Sequence, residues 1–244
     1  MSLPLFAPAA IFPPALTPAD SVGRWAARSP AAARTLADMG LDICCGGKRP
    51  LTQACAEKGF DPIEVAKQVE AAHAARLGET EPDPATMGLE ELALHIVHTH
   101  HVYLRQALPR IDFWIQKMIA AHGAENPMFT DLLKVFQGFR AEMESHMDKE
   151  ENVLFPLVAA VERGELVQVN LANPVGCMEE EHESAGRALA KLSELTDCFA
   201  PPPYACTTWR AAYAALAELE ADTHRHVHKE NNVLFPRAVA AQAA

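Results

Sequence analysis

His146-Met-Asp-Lys-Glu150-Glu-Asn-Val-Leu-Phe-Pro156 returns 80 residues later as His226-Val-His-Lys-Glu230-Asn-Asn-Val-Leu-Phe-Pro236. In each copy the histidine and glutamate are four residues apart, which on an α-helix puts both on one face, about 6 Å apart along the axis. The flanking residues say which face it is. One stripe at 3/4 spacing reads Phe136, Phe139, Met143, His146, Glu150, Val153, Leu157, and the other reads Trp209, Ala212, Leu216, Leu219, Thr223, His226, Glu230, Val233. Both polar residues therefore occupy core positions in each helix. A carboxylate buried without a cation is strongly destabilising, so two in repeated positions point to bound metal.

Two further histidines lie on equivalent stripes. One is His182, among Val175, Met178, Ala185, Leu189 and Leu192, and the other is His101, among Leu94, Val97, Leu104, Leu108 and Ile111. They are 81 residues apart, close to the repeat spacing. The neighbouring His100 shares the less apolar stripe of Ile96, Tyr103, Ala107 and Arg110, so His101 is the expected ligand. The expected metal ligands are thus His101, His146, Glu150, His182, His226 and Glu230. If each glutamate bridges, each of two metals receives two imidazoles and two carboxylate oxygens. A bridging oxide or hydroxide then completes five-coordination and leaves one position open for a small ligand. Nitrogen and oxygen donors without thiolate suit iron or manganese better than structural zinc. A ferritin-type site needs Glu-x-x-His on two helices, and only Glu179-x-x-His182 has that form.

The other histidines read more plainly: His73 and His122 as helix-end or surface residues, and His95, His98, His100, His224 and His228 as surface groups or supports for ligands, His98 and His224 foremost. The run Glu179-Glu180-Glu181 reads as a solvated face, with Glu181 a candidate for the metal entrance. Cys177, Cys198 and Cys206 read as buried or surface thiols rather than ligands.

Four long helical patterns carry this set, at about 89–121, 127–161, 174–198 and 207–240. Asn126-Pro127 and Asn173-Pro174 are start signals, and Gly123 and Gly164 are stops. No alternating run is long enough for a strand. Short connections between amphipathic helices predict an all-α, antiparallel four-helix bundle over 87–244, with Pro109, Pro156 and Pro236 expected to kink or break three helices. Upstream, residues 17–76 read as a small helical domain with helices over 20–28, 30–39, 50–58 and 62–76, stopped or started by Gly40, Gly59 and Asp61. Residues 77–86 read as a linker. Residues 1–16, with prolines at 4, 8, 13 and 14 and no basic start, read as a disordered tail rather than a signal peptide or membrane helix.

The 244 residues are 49% hydrophobic, enough for a substantial core. A net charge of −11 without a basic run argues against nucleic acid and anionic membrane as partners. Adjacent Cys44 and Cys45 are poorly placed for a disulfide, which suits a reducing cytoplasm. Their place between two helices, near backbone N–H donors that favour thiolate, makes them a second candidate site.

The segment Asp42-Ile-Cys-Cys-Gly-Gly-Lys48, the two bundle motifs and Ala205-Cys-Thr-Thr-Trp209 together resemble the RIC (repair of iron centres) proteins, which have a hemerythrin-like di-iron domain. The resemblance runs from about residue 17 to the end. It implies a cytoplasmic stress protein, holding two Fe ions, that restores iron–sulfur proteins damaged by nitric oxide or peroxide, by donating iron. The family's ligands fall on the same six residues and its di-cysteine on Cys44 and Cys45, for thiol delivery or redox work. Two alternatives use the same ligands: nitric oxide reduction at the di-iron centre, or a hemerythrin-like carrier or sensor of a diatomic gas. A carrier has no need of the thiols, whereas a reductase needs an electron source that they could supply.

Overall fold

The computed structural model describes residues 16–43, 46–75 and 83–243. Cys44, Cys45 and most of the expected tail and linker lie outside them. Among the described residues the chain is helical without a strand, and a single bridge joins Ser21 and Pro50.

The N-terminal helices are α1 (Val22–Ala26), α2 (Pro30–Asp38), α3 (Leu51–Lys58) and α4 (Pro62–Ala74). Their signals are local. The Ser21, Ser29 and Asp61 side chains accept first-turn N–H groups, while Gly40 and Gly59 take positive φ just past the ends of α2 and α3. They share a core that includes Val22, Trp25, Leu36, Leu51 and Val69.

The bundle's first long helix is α5 (Leu89–Ile96), a π-helical turn (Val97–His101) and α6 (Val102–His122). The second is α7 (Met128–Lys149), a π turn (Glu150–Leu154) and α8 (Phe155–Glu162). The third is α9 (Ala172–Leu195), with no such turn. The fourth is α10 (Thr207–Lys229), a π turn (Glu230–Leu234) and α11 (Phe235–Gln242). Along every helix one apolar cluster gives way to the expected ligands and then to a second cluster. The six side chains therefore lie between two dry layers.

The π turns correct two expectations. Each adds one residue to a turn and so rotates what lies beyond it by roughly 100° against an ideal helix. Leu94 and Val153, placed on the core stripes, are 52% and 54% exposed, and Ile96 and Leu154 fill the core instead. The stripe on α9 holds throughout, with all six of its residues buried. None of the three prolines breaks its helix. Pro109 sits inside α6, and Pro156 and Pro236 follow the π turns as second residues of α8 and α11, where the change of hydrogen-bond register leaves room for a residue without N–H. The Asn-Pro start signals are also displaced. Asn126 Nδ2 donates back to the His122 carbonyl, and α9 starts ahead of Asn173-Pro174, with Asn170 Oδ1 accepting from the Ala172 N–H.

A close contact joins the N-terminal segment to the fourth bundle helix. The Asn232 amide donates to the Ile43 carbonyl at 3.0 Å and to Nδ1 of His228 at 3.1 Å. A Cβ at Gly23 would meet Asn232 Oδ1 at 1.8 Å, so this approach requires glycine. Lys48 pairs with Glu179 at 2.7 Å on α9.

Candidate metal centre

All six expected ligands are buried, at 2% exposure or less. They form two groups that share Glu150 and Glu230: His101 with His226, and His146 with His182. In each group the ligand atoms lie within 4.8 Å of one another. Each glutamate divides its oxygens between the groups. Glu150 places Oε2 3.3 Å from His101 Nε2 and Oε1 3.4 Å from His146 Nε2. Glu230 places Oε1 2.9 Å from His226 Nε2 and Oε2 3.2 Å from His182 Nε2.

The opposite ring nitrogens fix which atoms face inward. His101 Nδ1 donates to Glu151 at 2.8 Å, His146 Nδ1 to Glu181 at 2.9 Å, and His182 Nδ1 to the Asn231 side-chain oxygen at 2.8 Å. A neutral imidazole that donates from Nδ1 presents a lone pair at Nε2. Yet His146 and His182 bring their Nε2 atoms to 2.9 Å, and His101 and His226 bring theirs to 3.1 Å. Facing lone pairs repel unless a cation lies between them and the carboxylates. Both oxygens of Glu150 and Oε2 of Glu230 are buried without a hydrogen-bond partner, although they lie within ion-pairing distance of the rings. The donor set fits metal ions.

Electrostatics agree. Burial and the Glu230 charge push the Glu150 carboxyl up, but His146 and His101 hold it below its ordinary value. Burial also opposes ionisation of Glu230, which His226 and His182 nonetheless keep well below the usual range. For His146, burial works against the charged ring, and Glu150 and Glu230 overcome it to raise the pKa to about 9. Without metal, protons on imidazoles supply the compensating positive charge.

His100 stays out of the cluster but is not a surface residue. It is 1% exposed, its Nδ1 donates to Asp222 at 3.0 Å, its Nε2 accepts from Lys229 at 3.0 Å, and its ring stacks on His226 at 5.4 Å. His98 is exposed, and His224 lines a cavity of about 420 Å³ between α2 and α10; no hydrogen bond joins either to the six. The supports are instead Glu151, Glu181 and Asn231. Of these only Glu181 stood out in the sequence. The residues that follow Glu150 and Glu230 should point away on an ideal helix, and the π turns bring them back to the adjacent rings.

A four-helix bundle holding a buried cluster of four histidines and two glutamates defines a hemerythrin-type, cation-binding protein. Residues 92–238 match the Hemerythrin HHE cation binding domain, and residues 18–73 match ScdA_N, a domain of unknown function (DUF542). The chain is 38% identical over 218 residues to the iron-sulfur cluster repair protein YtfE of Edwardsiella ictaluri, covering 89% of this chain and 96% of that one. It is 33% identical over 225 residues to the protein of the same name from Pectobacterium atrosepticum, covering 91% and 98%. For that of Escherichia coli O157:H7 the identity is 35% over 223 residues, covering 91% and 97%. The chain belongs to the RIC family of iron-centre repair proteins. No helix among the described residues is long and apolar enough to cross a membrane.

Proposed function

We propose that this chain is a cytoplasmic di-iron protein that repairs iron–sulfur clusters damaged by nitrosative or oxidative stress by donating iron to them. The observation that carries this reading is the division of the Glu150 and Glu230 oxygens between two histidine pairs. His101 and His226 would hold one iron and His146 and His182 the other, with Glu150 and Glu230 offering an oxygen to each. Such a centre would supply iron on exchangeable nitrogen and oxygen donors, with room for a diatomic ligand such as nitric oxide.

The surrounding residues hold the centre ready. Glu151, Glu181 and Asn231 fix the ring orientations. Glu151 and Glu181 are also 29% and 35% exposed, so each links a buried imidazole to solvent and offers iron a carboxylate-lined way out. Cys44 and Cys45 act as thiols that receive iron or supply electrons. Ile43 is bound to Asn232, two residues beyond Glu230, so the N-terminal segment is tied to the helix that carries a ligand. Residues 17–76 and 87–244 serve as thiol module and iron store.

The test is anaerobic incubation of the ⁵⁷Fe-loaded protein with an iron–sulfur hydro-lyase inactivated by nitric oxide. Recovery of activity with ⁵⁷Fe in the rebuilt cluster supports donation. Recovery without ⁵⁷Fe, accompanied by nitric oxide consumption, favours reduction at the centre and counts against donation.

A further inference from the structure

The motif Ala205-Cys-Thr-Thr-Trp209 has no place in the metal centre. It begins α10, whose first ligand, His226, is twenty residues further on, about 30 Å along the helix. Cys206 is the N-cap residue, with extended backbone (φ −71°, ψ 169°), so its side chain lies at the positive end of a 23-residue helix. The end of α6 approaches the same point: His122 Nε2 lies 3.3 Å from Cys206 Sγ. The His122 ring also packs on Trp209 at 5.8 Å, and its position is steadied by Asn126, which bonds its carbonyl. A thiol, an imidazole and first-turn amides thus meet at a half-buried spot.

We infer that Cys206 and His122 form a reactive thiol–imidazole pair that is oxidised by small hydroperoxides. The imidazole takes the thiol proton and the helix terminus stabilises the thiolate. The amide of Trp209 and the His122 ring hold the thiol below its ordinary pKa. In the reaction the sulfur attacks one peroxide oxygen, an S–O bond forms, and the O–O bond breaks. The His122 imidazolium returns its proton to the departing oxygen. Sulfur loses two electrons and becomes sulfenic acid, while hydrogen peroxide is reduced to water. No third metal-ligating side chain joins this pair among the described residues, so the geometry favours oxidation over metal capture.

Cys177 and Cys198 provide internal controls, since both are exposed whereas Cys206 is half-buried. The iron-loaded protein is treated at pH 7 with limiting iodoacetamide, or with hydrogen peroxide and dimedone, and adducts are quantified by peptide mass spectrometry. Activation predicts that Cys206 reacts about 10-fold faster than either control despite its lower exposure, because the helix terminus and His122 raise its thiolate fraction. His122→Gln should bring it down to the control rate while helical circular dichroism and iron content stay unchanged. A reactivity order that follows exposure, with Cys206 slowest, would overturn the inference. So would an unchanged rate in folded His122→Gln. If that variant does not fold, the competition within the native protein still decides.

Discussion

His146 Nε2 and His182 Nε2 lie 2.9 Å apart, although both rings already donate their Nδ1 protons elsewhere. Metal-free protein must place a proton where the ion belongs, and the pKa of His146 is accordingly raised from 6.5 to about 9. A raised histidine stabilises the fold fully below its unfolded value and loses that contribution as pH climbs through its folded value. The melting temperature of metal-free protein should therefore fall between about pH 6.5 and pH 9, with no such fall after metal loading. Iron binding at pH 7 should release protons, measured as a dependence of the calorimetric heat on buffer ionisation enthalpy. Heat independent of the buffer would contradict this.

Shared and unshared ligands should behave differently. Glu150 faces both histidine pairs and His101 faces one. Glu150→Ala should lose most of both irons, while His101→Ala should retain about one per chain. Equal retention in the two variants would mean that Glu150 does not bridge.

His100 and His101 separate in the opposite sense. His100→Ala removes a buried partner of Asp222 and Lys229 and should cost about 1–3 kcal/mol in denaturant unfolding. Its iron content should stay near the native value, whereas His101→Ala should lower iron. Greater iron loss in His100→Ala would place the first helix wrongly about its axis.

The repeat supplies a matched pair for the docking contact. Asn152 Nδ2 bonds the Asp148 carbonyl within its own helix, and its counterpart Asn232 bonds Ile43, between α2 and α3. Asn232→Ala should keep iron, lose about 1 kcal/mol, increase hydrogen exchange around Gly23 and Ile43, and repair poorly. Asn152→Ala should repair normally. Cys44→Ser with Cys45→Ser should resemble Asn232→Ala in keeping iron and losing repair. Unimpaired repair by Asn232→Ala and by the double cysteine variant would detach the N-terminal helices from function.

Where local rules suffice, the sequence was legible. The left-handed glycines Gly40 and Gly59 marked the ends of α2 and α3 and Asp61 the start of α4, and the stripe on α9 could be read without error because nothing interrupts its 3.6-residue period. The identity of the six converging residues was likewise written in the repeat and its apolar flanks. Leu94 and Val153 were misplaced because a π turn leaves no mark in hydrophobic periodicity. Glu151 and Asn231 were missed for the same reason, since only the widened turn aims them at neighbouring rings. His228 read as a surface or supporting group because its partner Asn232 is itself fixed by a backbone carbonyl nearly two hundred positions away.

Anaerobic titration of metal-free protein with ferrous iron tests the central claim most directly. Four imidazoles and two shared carboxylates predict a break at about two irons per chain, with Mössbauer parameters for coupled oxygen- and nitrogen-ligated iron after oxidation. A break at one iron, or stoichiometric zinc that iron does not displace, would contradict the account.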